Sequence, residues 1–129
     1  MVYSGTFLNI IDNTGGNRAL CIRVLSNSKL GVPGNLVVIA VKSIFINRKI
    51  TYSRKKKVRK GTVKKCLLIR VSYTIKRWGN YYIKFESRGV ALIGRWDLPI
   101  GTRIFGPIQY ETRLSKYVRV AMLSEGRSF

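Results

Sequence analysis

Leu36-Val37-Val38-Ile39-Ala40-Val41-Lys42-Ser43-Ile44-Phe45 carries one charge in ten residues and five β-branched side chains. That composition suits a pleated, half-buried surface and predicts a long strand, most deeply buried over its first half. Residues 62–73 predict a second long strand, in which Lys64 and Lys65 are basic while Cys66, Leu67, Leu68, Ile69 and Val71 are apolar. Between the two lies the most charged segment of the chain. From 48 to 60, eight of thirteen residues are basic (Arg48, Lys49, Arg54, Lys55, Lys56, Lys57, Arg59 and Lys60), with Ile50 and Tyr52 interleaved. Strands bracketing a basic loop predict a protruding β-ribbon. A Lys/Arg run is ordinarily a solvated loop; this density, in so basic a chain, reads as an arm that binds phosphates.

Outward from that ribbon the pattern stays β. Residues 6–11 form a short apolar run, followed by Asp12-Asn13-Thr14-Gly15-Gly16-Asn17, which is rich in turn chemistry. Asp12 and Asn13 are expected to close that turn with their side chains. Residues 19–25 resume as a strand bearing Arg23, with Arg18 in the connection, and 26–35 read as a loop. Downstream, 74–80 read as a turn carrying Lys76, Arg77 and Trp78, and 81–85 and 89–93 as two more strands. Trp78, Tyr81 and Tyr82 beside Arg77 either stack on unpaired bases or, as is commoner at strand ends, pack at the core or rim. Residues 111–123 fit a helical stripe and an alternating strand alike, with short helical turns favoured; the tail 124–129 reads as loose. Six candidate strands joined mostly by turns imply an antiparallel barrel in a single domain, with no repeat or linker.

Charge narrows the partners. In 129 residues, 25 Lys and Arg stand against 5 Asp and Glu, a net charge of +20. With 46% hydrophobic residues the chain can still build a core, so it is not a disordered basic tail. Such a field attracts polyanions, nucleic acid before an anionic membrane, since no long amphipathic basic helix is evident. No apolar run is long enough to span a bilayer as a helix. Cys21 and Cys66 are far apart and there is no histidine, so a zinc site is not expected, nor any metal or cofactor. The thiols read as small buried hydrophobes in a reducing compartment. The acids Asp12, Glu86, Asp97, Glu111 and Glu125 form no close pair, and no phosphate-binding or nucleophile motif occurs, so an enzyme is not expected.

Pro99-Ile100-Gly101-Thr102-Arg103-Ile104-Phe105-Gly106-Pro107 holds two glycines and two prolines in nine residues, a multiply turned loop with apolar anchors and one presented cation. By its residues it is either a contact surface or a structural corner. The run Gly101-Thr102-Arg103-Ile104-Phe105-Gly106-Pro107 resembles the corresponding segment of the fourteenth protein of the large ribosomal subunit, a universal family. Leu8-Asn9-Ile10-Ile11-Asp12-Asn13-Thr14-Gly15 is similar to that family's opening LNVADNSG, and Cys21-Ile22-Arg23-Val24-Leu25 to its CIKVL. Ile83-Lys84-Phe85 and Val90-Ala91-Leu92-Ile93 sit where the family has IRF and a short apolar strand.

This resemblance, which runs through nearly the whole chain, implies a closed five-stranded antiparallel barrel over roughly 1–97, a protruding basic β-ribbon, and short C-terminal helical turns within roughly 98–129. It implies a structural role: binding large-subunit rRNA and a neighbouring large-subunit protein. It also implies an intersubunit bridge to small-subunit rRNA, on a surface where a ribosome silencing factor docks. Position by position, Thr102, Arg103 and Arg119 fall on that surface, Arg119 where bacterial members carry lysine. Departures from the family are a longer basic loop before Gly61, a shorter 26–34 loop, Asn35 and Thr62 in place of aspartates, and Trp78, Arg88, Arg95 and Trp96. Met1 aligns with the bacterial start, so no presequence is expected. With an Ile/Asn/Lys-rich composition, this suggests an organelle-encoded protein of the mitochondrial matrix; the alternative is the bacterial cytoplasm.

The expected mechanism is adhesive. Basic residues of the 48–65 arm, with Arg18, Arg23 and Arg77, neutralise phosphates and release counterions. Such contacts fix position without reading sequence, so RNA shape supplies selectivity. The rivals are a free-standing single-strand binder on a small barrel, which needs stacking aromatics on one sheet face, and a membrane-active protein, which needs a basic amphipathic helix.

Overall fold

The computed structural model describes residues 1–45 and 58–129. Five strands, β1 (Phe7–Ile10), β2 (Gly16–Leu25), β3 (Leu36–Ile44), β4 (Val63–Arg70) and β7 (Gly89–Ile93), close into a barrel in the order β1-β2-β3-β4-β7. Neighbours run antiparallel except β1 and β7, which are parallel, with Asn9 opposite Gly89 and Ile10 opposite Val90. The exception follows from counting. Around a ring with an odd number of strands, directions cannot alternate everywhere, so one neighbouring pair must run the same way. Two short strands, β5 (Ile75–Lys76) and β6 (Tyr82–Ile83), form a separate hairpin between β4 and β7.

Alternation along the strands fills the interior. Leu8 and Ile10, Ala19 and Cys21, Val37, Ile39 and Val41, Cys66 and Leu68, and Val90 and Leu92 form one buried cluster. Val58 joins it, and its N–H donates to the Thr14 carbonyl at 3.2 Å, so the return from the basic segment is plugged into the barrel. A second cluster lies outside the wall: Leu67, Ile69, Ala91 and Ile93 are covered by Ile104, Ile108, Tyr117, Val120 and Ala121. β7 is therefore buried on both faces, which is why all five of its residues read as apolar or glycine.

The covering layer is the C-terminal part, with α1 (Glu111–Leu114) and α2 (Val118–Met122). Of the two periodicities in 111–123, the helical one prevails. Gln109, fully buried, fixes this layer to β4: its Oε1 accepts from Val71 N at 3.1 Å and its N–H donates to Ile69 O at 3.4 Å. The tail expected to be loose is docked. Ile108 N donates to Arg127 O at 3.2 Å and Phe129 N to Ile108 O at 2.8 Å, while a Cβ on Gly126 would come within 2.7 Å of the Pro107 nitrogen.

Several boundaries also differ from expectation. β2 begins at Gly16 rather than 19, because Gly16 is a strand glycine: a Cβ there would lie 2.5 Å from Ile10 Cδ1. The turn expected at 74–80 contains β5, and the strand expected at 81–85 contracts to β6, paired with β5 and outside the barrel. β4 ends at Arg70 instead of reaching 73. The expected ribbon tip, with Arg48, Lys49, Arg54, Lys55, Lys56 and Lys57, lies outside the described residues.

Candidate nucleic-acid interface

The outward face of the barrel is divided in two. Over β7 and the C-terminal half of β4 it is covered by the second core. Over β1, β2, β3 and the start of β4 it faces solvent, and there the cations collect. Their side is set by a bulge. Cys21 pairs with Ile39 and Arg23 with Val38, leaving Ile22 as the extra residue. Strict alternation would turn Arg23 into the core and Val24 out; the bulge reverses both, and Arg23 is exposed while Val24 is buried.

Register then aligns the charges. Val38 pairs with Arg23 on one side and Lys65 on the other, so the two cations flank one β3 residue across three strands. Lys64 pairs with Ile39 at the barrel mouth and is exposed. Arg18 pairs with Asn9, and its guanidinium lies 5.3 Å from the centre of the Phe7 ring. Arg59 and Lys60 are exposed on the turn that closes at Gly61, φ +84°. Lys42 completes the set. Sequence reading passed over it, although inward Val37, Ile39 and Val41 place it on the outward parity. The strands β2, β3 and β4 contain no acidic residue at all.

Arg77 sits apart from this face. Its Nη2 donates to Glu111 Oε2 at 2.7 Å and to the Phe129 backbone oxygen at 3.0 Å, with its side chain only 15% exposed. It ties the β5–β6 hairpin to the C-terminal layer. Arg70 is likewise half-buried, and burial lowers its pKa from the usual arginine range. Gly106 leaves room for it: a Cβ there would approach Arg70 Nη1 to 2.7 Å.

The turned loop is held by the segment after β1. Asp12 is buried; its Oδ1 accepts from Thr14 N at 3.1 Å and from the Thr14 hydroxyl, and its Oδ2 from Leu92 N at 2.9 Å. As expected, Asp12 closes its own turn, and it also reaches β7. Burial raises its pKa, opposed by these hydrogen bonds. Asn13 reaches away from its turn: Oδ1 accepts from Thr102 N at 3.0 Å and Arg103 N at 3.4 Å. Gly101 permits that approach, since a Cβ there would be 2.8 Å from Asn13 Oδ1. Thr102 and Arg103 are exposed, and Arg103 Nε and Nη2 both donate to Glu125 Oε1, the former at 2.6 Å. Arg119 is exposed on α2, which rests on Ile104 through Val120 and Ala121.

Among the described residues, no three of His, Cys, Asp and Glu gather where a cation would sit. Cys21 and Cys66 are buried free thiols whose pKa values burial raises, that of Cys66 well above the ordinary thiol range. The described aromatics also divide: Tyr117 is core, but Trp78 and Trp96 are 97% and 90% exposed, so the expectation that Trp78 packs at a rim is not met.

Comparison with known proteins converges on one family. Residues 1–127 match the model of the family described as Ribosomal protein L14p/L23e. The large ribosomal subunit protein uL14m of Acanthamoeba castellanii is 36% identical over 130 residues, spanning 96% of this chain and 99% of its own. Its counterpart uL14m of Acanthamoeba polyphaga is 38% identical over 115 residues, spanning 88% and 97%.

Proposed function

The chain belongs to the ribosomal protein L14p/L23e family, structural constituents of the large ribosomal subunit and not enzymes, and on that premise we propose that it holds large-subunit rRNA against the outer wall of its barrel. The observation that carries this reading is the acid-free wall of β2, β3 and β4, on which a bulge and the strand register bring Arg23 and Lys65 to either side of Val38. Arg18 and Lys42 extend the wall, Arg59, Lys60 and Lys64 add exposed cations beside it, and the basic residues of 48–57 add to the charge in this reading. Each cation neutralises a phosphate and releases a counterion, which favours a folded RNA of matching shape over any particular sequence.

The loop bearing Thr102 and Arg103, with Arg119 nearby on α2, faces small-subunit rRNA in this reading and offers the surface on which a silencing factor docks. A neighbouring large-subunit protein completes the contacts. Both relatives bear the name of the mitochondrial protein, uL14m, which supports a place in the mitochondrial ribosome.

The test is a salt titration of binding to a large-subunit rRNA fragment, comparing the chain with its Arg23→Glu/Lys65→Glu variant. Both side chains point outward, so the fold is retained. Removing two phosphate contacts is expected to flatten the slope of log K against log salt by roughly 1.4 to 1.8. An unchanged slope with unchanged affinity would remove the wall from the interface.

A further inference from the structure

The β5–β6 hairpin and the C-terminal layer enclose a cleft of about 770 Å³ that neither hydrophobic core nor the basic wall uses. Trp78, Tyr81 and Tyr82 stand out from the hairpin at 97%, 55% and 63% exposure. A single exposed apolar side chain is ordinary; three aromatic rings on one short hairpin are not. Their support is rigid. Arg77 N donates to Tyr81 O at 3.0 Å, closing a turn in which Gly79 and Asn80 are left-handed, at φ +92° and +58°. The Arg77 side chain is pinned in turn by Glu111 and the Phe129 backbone oxygen.

We propose that this cleft is a stacking site for unpaired RNA bases, with Trp78 and Tyr81 as the platform and Lys76 on the adjoining phosphate. Charge selects that occupant. Lys76 is exposed on the rim, and Glu111, the one acidic side chain among the lining residues, is neutralised by Arg77, which also donates to the Phe129 main-chain oxygen. An anionic ligand with flat apolar faces satisfies both the rings and the lysine; an apolar protein segment leaves the lysine unmatched. The proposal rests on the RNA-binding reading but on different residues, so the two fail separately.

The chain has two tryptophans, so in a Trp96→Phe background emission reports Trp78 alone. Single-stranded hexa-adenylate should quench that emission to saturation, whereas an abasic hexamer of the same charge should leave it unchanged. Trp78→Ala removes no core contact and should weaken hexa-adenylate binding roughly fivefold to a hundredfold while leaving a blunt RNA duplex within twofold. Arg23→Glu/Lys65→Glu should show the opposite preference. Unquenched emission with intact duplex binding, or equal weakening of both ligands by Trp78→Ala, overturns the stacking site and spares the wall. Loss of binding to every RNA overturns both. A photo-crosslinking Trp78→benzoylphenylalanine variant in assembled large subunits should give an RNA adduct; adducts with protein alone would assign the cleft to a protein segment instead.

Discussion

The side-chain amide of Asn13 holds Thr102 from two sides at once: Nδ2 donates to Thr102 Oγ1 at 3.0 Å, and Oδ1 accepts from Thr102 N at 3.0 Å. With Arg103 N on the same oxygen at 3.4 Å, a single side chain in the turn that follows β1 holds a loop 89 positions downstream. The glycine before Thr102 is required by the same contact.

Asn13→Ala is therefore expected to free the loop without unfolding the barrel, at a cost of about 1 kcal/mol. Amide exchange at Thr102 and Arg103 should lose protection, while amides of β2 and β3 keep theirs. Asn13→Asp retains an oxygen acceptor for both N–H groups and should retain most of that protection. Equal protection in Asn13→Ala would mean that the turns alone fix the loop.

A pH dependence follows from Asp12. Its folded-state pKa is raised by burial above the ordinary 3.8, so across the interval between those values the native state binds more protons than the unfolded one. Its contribution to stability is then full below 3.8 and is lost as pH rises through the folded-state value. Asp12→Asn cannot titrate, and as an amide it cannot accept from both Thr14 and Leu92 as the carboxyl group does, so it should be less stable. The stability gap between the two proteins in urea should be widest in acid and narrow as pH rises. A gap that widened with pH would reverse the sign of the Asp12 shift.

Arg77 and Glu111 offer a pairwise test. Their side chains are 15% and 28% exposed, so solvent screens the 2.7 Å contact less than on an open surface. A double-mutant cycle with Arg77→Ala and Glu111→Ala should give a coupling of about 1 kcal/mol, and either single change should loosen the β5–β6 hairpin. A coupling near zero would leave the Phe129 backbone oxygen as the contact that matters.

Where the sequence was legible, the signal was local. β7 was read at its observed bounds, since five apolar or glycine residues between turn signals can only be buried. The long strands announced themselves by β-branched residues and alternation. What escaped reading depends on distant partners. The tail looked loose because its hydrogen bonds go to residues near 104 and 108, some twenty positions away, and Arg77 looked available because Glu111 is 34 positions off. Gly15-Gly16 looked like a turn throughout, yet Gly16 answers to the Ile10 side chain on the neighbouring strand. Register hid the proposed interface in the same way: Arg23 and Lys65 come to flank Val38 only once the bulge at Ile22 and the pairing of β3 are known.

The parallel contact between β1 and β7 orders events in time. A chain emerging from its own synthesis can pair β1 through β4 as each appears, but the ring stays open until Ile93 has followed Arg70. At about 5–20 residues per second, that wait is roughly one to five seconds, during which the outer edges of β1 and β4 face the medium unpaired. Open edges invite pairing with other chains, and lysines along an edge discourage it. Lys64 and Lys65 stand on one of those edges. The charges proposed to meet rRNA in the finished particle would thus also guard the unfinished one.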